Sequence, residues 1–380
     1  MKISGDWINH SGTQALFAVL VKAGYQALFV GGCVRNALLE VAVADIDIAT
    51  AARPEIVSNI AEAAGFRVIP TGIEHGTVTV IARGVAHEVT TFRRDVETDG
   101  RRAVVAFSTD VAEDAARRDF TMNALYAGAD GSVLDPLGGL PDLTARRVRF
   151  VGEPQARIRE DYLRILRFFR FYAVYADPNG GIDAEGLAAC AANAEGIEGL
   201  SRERIGAEMR KMLGARDPAP AVTAMAQSGI LMRILPGSDA KALGILVHLE
   251  GDLPPRWQRR LAVLGGADPG EALRLSRTEI GSNTIVRDEI GSALTSAALG
   301  WKLGTEAASD VVLCRAALFE TAPPENWQAE IARGVASSIP VTAADLMPTL
   351  QGTALGKKLH EIQARWLASD LYLRKSDLLA

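Results

Sequence analysis

The chain has 380 residues, 48% of them hydrophobic and 23% charged, with a formal net charge of −5. That length holds two or three domains and a large buried core. The acidic balance excludes bulk electrostatic attraction to nucleic acid, so any RNA contact needs a local basic surface. Three widely spaced cysteines, Cys33, Cys190 and Cys314, exclude a disulfide framework and fit a reducing compartment. The N-terminus lacks a signal-peptide core and no apolar run is long enough to span a bilayer. The expectation is a cytoplasmic protein without membrane contact.

The first 150 residues or so read as an α/β unit. Residues 13–23 have helical periodicity, and 27–30 form a short apolar strand ending at Gly31-Gly32. A helix follows over 34–39. Ile46 and Ile48 flank Asp47 on a second strand. Residues 54–64 read as a helix opened by a proline at its first position. Residues 76–82 are rich in β-branched residues and read as a strand, as do 88–92. The polar, glycine-containing segment 94–103 reads as a mobile loop. Beyond Pro154 the pattern is helical. A single helix is expected over 155–176 and another over 201–214, capped by Ser201. From 217 to the end, prolines break a series of helical segments.

Asp45-Ile46-Asp47 carries the most chemical information. Side chains two apart on a strand point the same way, so two carboxylates share one face while Ile46 turns inward. Adjacent desolvated anions are costly without a cation. Mg²⁺ suits the pair, because it takes few protein carboxylates and completes its shell with water and phosphates. Glu88, on a later strand, is a third acid for the same chemistry, although pairing with an arginine is its other reading. Gly31-Gly32-Cys33-Val34-Arg35-Asn36 resembles a phosphate turn, in which glycine lets backbone approach and a helix start offers N–H groups. A glycine pair also serves ordinary turns, and only the spacing to Asp45 and Asp47 raises this one. Cys33 reads as a small packing residue.

Two further blocks stand out. In Arg117-Arg118-Asp119, guanidinium matches phosphate bidentately, and Asp119 is expected to brace Arg118; a surface basic pair is the alternative. In Glu160-Asp161-Tyr162-Leu163-Arg164, continued by Arg167 and Arg170, polar residues recur every three positions as a stripe on one helix. Taken alone, a solvated face with an Asp161–Arg164 ion pair accounts for it.

Together, the glycine and double-aspartate block, residues 72–80 and 88–93, the block 117–124, the helix 160–170 and Leu200-Ser201-Arg202-Glu203-Arg204-Ile205 resemble class II tRNA nucleotidyltransferases, the CCA-adding enzymes, and the related bacterial poly(A) polymerases. One departure is Asn36, where the family usually has aspartate. The resemblance implies an α+β nucleotidyltransferase head over 1–150, a helical neck over 151–215 and an all-helical, RNA-binding body and tail over 216–380. It implies catalytic Mg²⁺ on Asp45 and Asp47, and nucleotide contacts from Gly32, Arg35 and Arg118. It further implies base reading by Asp161 and Arg164, supported by Arg167 and Arg170. The implied reaction adds C, C and A from CTP and ATP to the 3′ end of tRNA. Poly(A) polymerase, C-only or A-only addition, and a non-catalytic RNA-binding protein are the competing readings. Oligomeric state is not encoded in any motif.

The base reading also has a chemical basis. Cytosine and adenine share an exocyclic amino donor beside a ring-nitrogen acceptor. Carboxylate only accepts and arginine only donates, so Asp161 and Arg164 suit both bases and leave unpaired groups against guanine and uracil.

Overall fold

The computed structural model describes residues 1–98, 103–347 and 349–380. The chain divides into two compact units, Met1–Leu200 and Ser201–Ala380.

The first unit is built on a seven-stranded sheet. Its strands are β1 (Ala27–Val30), β2 (Asp47–Thr50), β3 (Arg67–Gly72), β4 (Thr77–Ala82), β5 (Val85–Thr91), β8 (Tyr126–Ala127) and β9 (Val133–Leu134). Their order is β3-β4-β5-β2-β1-β8-β9. β2 and β5 run parallel, with Asp47 opposite Glu88, and the other pairs are antiparallel. One face is apolar: Phe29, Ile48, Val78, Val80 and Val89 are buried. It is covered by the helices Ser11–Lys22 and Pro54–Ala63. Phe17 on the first of these meets Phe29 with ring centroids 4.4 Å apart. Alternation along β4 and β5 therefore sends Thr77, Thr79, Glu88 and Thr90 to the opposite face.

The expected elements of this unit form, with ends that match to within three residues. Two differences matter. Residues 94–103 are not one loop. β6 (Arg93–Thr98) and β7 (Ala103–Phe107) pair antiparallel as a separate two-stranded sheet, because pairing is a backbone property that local charge and Gly100 do not prevent. The segment between these strands lies outside the described residues. The helix expected over 155–176 is two helices, Pro154–Glu160 and Leu163–Tyr175. Asp161 sits between them in extended conformation, φ −153° and ψ 105°. Tyr162 packs so tightly on Gly196 that a Cβ there would lie 2.0 Å from its ring. The polar stripe is thus not a stripe on one helix. β3 contains Pro70, which hid it from a propensity reading, and it lies at the sheet edge where proline is tolerated.

Aromatic packing docks the helix Leu163–Tyr175 onto the sheet unit. Phe150 and Phe168 stack at 5.4 Å with an interplanar angle of 13°. Phe120 contacts Phe150 at 5.0 Å and Phe171 at 4.8 Å.

Among its described residues, the regular elements of the second unit are all helices. Ser201 accepts from the Arg204 N–H at 3.4 Å and caps the helix Arg202–Leu213, as expected. Helices Ser296–Leu318 and Trp327–Ala336 touch at glycines: a Cβ on Gly334 would lie 1.9 Å from the Ala297 carbonyl oxygen. Arg260 is 1% exposed. It donates to the carbonyls of Leu213 at 2.7 Å and Arg216 at 3.0 Å, to that of Ala215, and to Glu250 at 2.7 Å. It thereby satisfies carbonyls that the end of the helix Arg202–Leu213 leaves open. Removing one partner strands a buried charge, so Arg260→Ala is expected to lower stability by about 3–5 kcal/mol. Denaturant melts check this; a loss below about 1 kcal/mol contradicts the structural role.

Candidate functional site

β1 ends at Gly31, whose φ of 67° favours glycine, and the helix Gly32–Leu38 begins at once. A Cβ on Gly31 would lie 3.4 Å from an Arg118 Nη, and one on Gly32 would lie 4.0 Å from an Asp47 carboxylate oxygen and 3.8 Å from Arg35. The turn therefore brings the sequence-predicted Gly32, Arg35, Asp47 and Arg118 together. Cys33 is a buried thiol whose Sγ–H donates to the Val30 carbonyl at 3.3 Å. Burial pushes its pKa up to about 11, which suits packing and excludes a ready thiolate nucleophile.

Asp47 opens β2, with Ile46 buried before it and Asp45 exposed. The ladder extends to Ile46, whose carbonyl accepts from the Glu88 N–H at 3.0 Å. Burial and the Glu88 carboxylate push the Asp47 pKa up to about 6; Asp45 adds to this, while Arg118 and Arg35 oppose it. The three acids thus form one electrostatic group. Among the described residues no three His, Cys, Asp or Glu side chains gather tightly enough to hold a metal ion alone. The donor set still fits a hard divalent cation. Such an ion needs only one or two carboxylates, with substrate phosphates and water completing its shell, and Asp47 stands directly opposite a second carboxylate, Glu88, on the neighbouring strand.

The arginines are fixed by buried partners, several of which sequence reasoning missed. Arg118 donates through Nε and Nη2 to Asp114 at 3.2 and 2.8 Å and through Nε to the Tyr126 hydroxyl at 3.0 Å. Tyr126 in turn donates to Asp114 at 2.7 Å. Burial opposes the Arg118 charge, but Asp114 and Tyr126 outweigh it and hold the guanidinium protonated. Asp114 and Arg118 stand four residues apart, a spacing that offers the pair in retrospect. Asp119 does not brace Arg118 as expected. It accepts from Arg167 at 2.8 Å and from Asn123 Nδ2 and the Phe120 N–H at 2.9 Å each. Arg118 and Asp119 are adjacent, and the turn between helix Val111–Ala116 and residue 120 sends them to different partners. Burial raises the Asp119 pKa, yet Arg167 and Asn123 outweigh it and keep the carboxylate ionised.

Arg35 is 6% exposed. It donates to Asn36 Oδ1 at 3.1 and 2.8 Å, to Asn123 Oδ1, and to the Tyr175 hydroxyl at 2.7 Å. Its guanidinium lies 4.0 Å over the Tyr175 ring. Arg35, Arg167 and Arg170 all lie against Phe171, at 5.1, 5.4 and 4.5 Å. The structure thus gathers the three cations over one aromatic floor. Asn36 also donates to the Ala42 carbonyl at 3.0 Å.

Arg164 is held by Glu160 and by the carbonyls of Arg157 at 2.8 Å and Arg117 at 3.1 Å. Glu160 also pairs with Arg157 at 2.5 Å. Guanidinium has five N–H donors; the contacts just named take two on Nη1 and one on Nη2. Asp161 Oδ1 accepts from the Leu163 N–H at 3.1 Å, which starts the second helix.

These features define a nucleotidyltransferase-type head joined to a helical remainder. Residues 27–149 match the family described as "Poly A polymerase head domain". Residues 181–241 match "Probable RNA and SrmB- binding site of polymerase A". The CCA-adding enzyme of Geobacillus stearothermophilus is 36% identical over 337 residues, 84% of this chain and 80% of that one. The crystal structure of the Bacillus stearothermophilus CCA-adding enzyme in complex with CTP superposes with a TM-score of 0.74 at 31% identity, over 94% of this chain and 93% of that one. The human mitochondrial CCA tRNA nucleotidyltransferase 1 is 45% identical over 203 residues, 53% of this chain and 47% of that protein. The chain therefore spans about half the length of that relative. The chain belongs to the family of class II tRNA nucleotidyltransferases and bacterial poly(A) polymerases.

If the acids crowd for want of a cation, magnesium or manganese raises the melting temperature of the wild-type protein. Asp47→Asn is expected to raise it in chelator, by removing like-charge repulsion, and to abolish most of the cation-dependent gain. Differential scanning fluorimetry with and without metal decides this, and an unchanged metal response in Asp47→Asn contradicts the assignment.

Proposed function

We propose that this protein adds C, C and A, from CTP and ATP, to the 3′ end of tRNA and releases pyrophosphate. The observation that carries the reading is the Asp161–Arg164 pair. The Asp161 carboxylate is fixed by the Leu163 N–H, and three residues on, the Arg164 guanidinium is fixed by Glu160 and two carbonyls. That pair matches the edge shared by cytosine and adenine, and it lies in the same compact unit as the acids. The name of the 36% identical relative supports the same reading.

In this reading Asp45 and Asp47 hold two Mg²⁺ ions, with Glu88 strengthening the field around Asp47. The chemistry a bound Mg²⁺ pair supplies is acidification of the attacking hydroxyl and neutralisation of the departing phosphates. Arg118, and Arg35 beneath the glycine turn, present positive charge to the triphosphate. Arg167 and Arg170 support base and phosphate. The RNA 3′ oxygen attacks the α-phosphorus in line, its bond to the β-phosphate oxygen breaks, and pyrophosphate leaves with the electron pair. We assign residues 1–150 to the catalytic head, 151–215 to the neck and 216–380 to an RNA-binding body and tail. The three buried free cysteines suit a reducing cytoplasm, and among the described residues no helix is long and apolar enough to cross a membrane.

Incubating tRNA that ends before CCA with each labelled triphosphate tests the reading. CTP should label first, ATP only after two C additions, and GTP and UTP not at all. Long A tails identify a poly(A) polymerase instead, and absence of any incorporation overturns catalysis. Asp45→Ala and Asp47→Ala are each expected to cut incorporation by about a thousandfold with tRNA still bound.

A further inference from the structure

The sheet carries a row of threonine hydroxyls that no role above uses. Thr71 Oγ1 on β3 and Thr79 Oγ1 on β4 lie 2.9 Å apart. Thr77 Oγ1 on β4 and Thr90 Oγ1 on β5 also lie 2.9 Å apart. Thr79 stands directly opposite Glu88, and Glu88 stands directly opposite Asp47. Directly paired residues share a face, so one line runs from Asp47 through Glu88 and Thr79 to Thr71. Thr71 is exposed and the other three hydroxyl residues are half-buried. Each hydroxyl is one donor and two acceptors. A pair spends one proton on itself and keeps the other for a ligand.

The strand order says which ligand. β2, with Asp47, lies between β1 and β5. Arg118 sits at the Gly31 turn that ends β1, and Arg35 follows on the next helix. The cations that suit a triphosphate are therefore on the β1 side of the acids, and the hydroxyls are on the β5 and β4 side. In-line displacement puts attacker and leaving group on opposite sides of the phosphorus. With pyrophosphate departing toward β1, the attacking 3′-hydroxyl approaches over β5 and β4, and its nucleotide lies on the threonines.

We propose that Thr71 and Thr79, continued by Thr77 and Thr90, bind the sugar–phosphate backbone of the RNA primer's last nucleotides, with Thr79 contacting the terminal 2′-hydroxyl. The site rests on the polymerase reading above. Uncharged hydroxyls hold ribose and phosphate oxygens without the strong, salt-dependent grip of arginine. That suits an end which must shift after every addition. A 2′-hydroxyl, being both donor and acceptor, is what distinguishes RNA from DNA at such a place.

Thr79→Val keeps β-branching and removes the hydroxyl, Thr79→Ser keeps the hydroxyl, and Thr71→Val tests the outer end of the row. Each is assayed on a tRNA primer ending before CCA and on the same primer with a 2′-deoxy terminal residue. In the wild type the deoxy primer is expected to have an RNA KM about five- to tenfold higher. Thr79→Val should show the same rise on the natural primer, no further penalty on the deoxy primer, and an unchanged KM for CTP. Thr79→Ser should restore the difference. Thr71→Val should raise the RNA KM less than Thr79→Val. An active Thr79→Val enzyme that keeps the full deoxy penalty overturns the row and leaves the polymerase reading standing. A rise in the CTP KM alone places the threonines with the triphosphate and also overturns it. A wild type that extends neither primer overturns the reading on which the site rests.

Discussion

Asp119 is the interaction on which the site depends. One buried carboxylate accepts from Arg167 on the helix Leu163–Tyr175 and from Asn123 on the turn that follows it in sequence. Asn123 in turn accepts from Arg35 on the helix after the glycine turn. Three separate segments are thereby locked in register by one chain of charge-assisted hydrogen bonds. Such a chain, fully satisfied in a low dielectric, is stiff, and losing one member leaves the others buried and unpaired. The Phe120, Phe150, Phe168 and Phe171 cluster supplies the apolar half of the same joint. Packing brings the elements together, and Asp119 fixes how they are aligned.

The same logic explains why the arginines do not neutralise the acids. Arg118 is anchored on Asp114 and Tyr126, and Arg35 on two asparagines and a tyrosine. Among the described residues neither forms an ion pair with Asp47, although both lower its pKa from a distance. Positive and negative groups are thus held near each other and kept from collapsing together. That separation is what the proposed reading requires of a site for a metal-bound triphosphate, since each pole would meet its counterpart only when the ligand arrives.

Much of this was legible in the chain. Asp47 and Glu88 could be placed on strands because β-branched residues and alternation mark β2, β4 and β5. The helix starts were signalled by Pro54 at a first helical position and by the cap residue Ser201. What escaped were features set by partners distant in sequence. The break at Asp161 is invisible to periodicity, because 155–176 remains amphipathic across it; the break is made by Tyr162 seating on Gly196. The partner of Arg118 was misassigned to its neighbour Asp119, since adjacency says nothing about where a turn points two side chains. Strands β6 and β7 were hidden by charge and a glycine, and β8 and β9 by a length of two residues each.

The break at Asp161 bears directly on the base reading proposed for Asp161 and Arg164. Had Asp161 and Arg164 shared a continuous helix, their separation would be that of any i, i+3 pair, and only their own rotatable side-chain bonds would set their aim. Instead Asp161 starts the second helix by accepting from the Leu163 N–H, so its carboxylate is oriented by backbone. Arg164 is oriented by Glu160 from the end of the first helix. The pair is therefore aimed by two different helices meeting at one junction. A base edge is discriminated only as sharply as the donors and acceptors facing it are fixed, because a mobile carboxylate can retreat from a mismatched acceptor at little cost. Fixing both members raises that cost, so under the proposed reading two side chains suffice to reject guanine and uracil without a template strand.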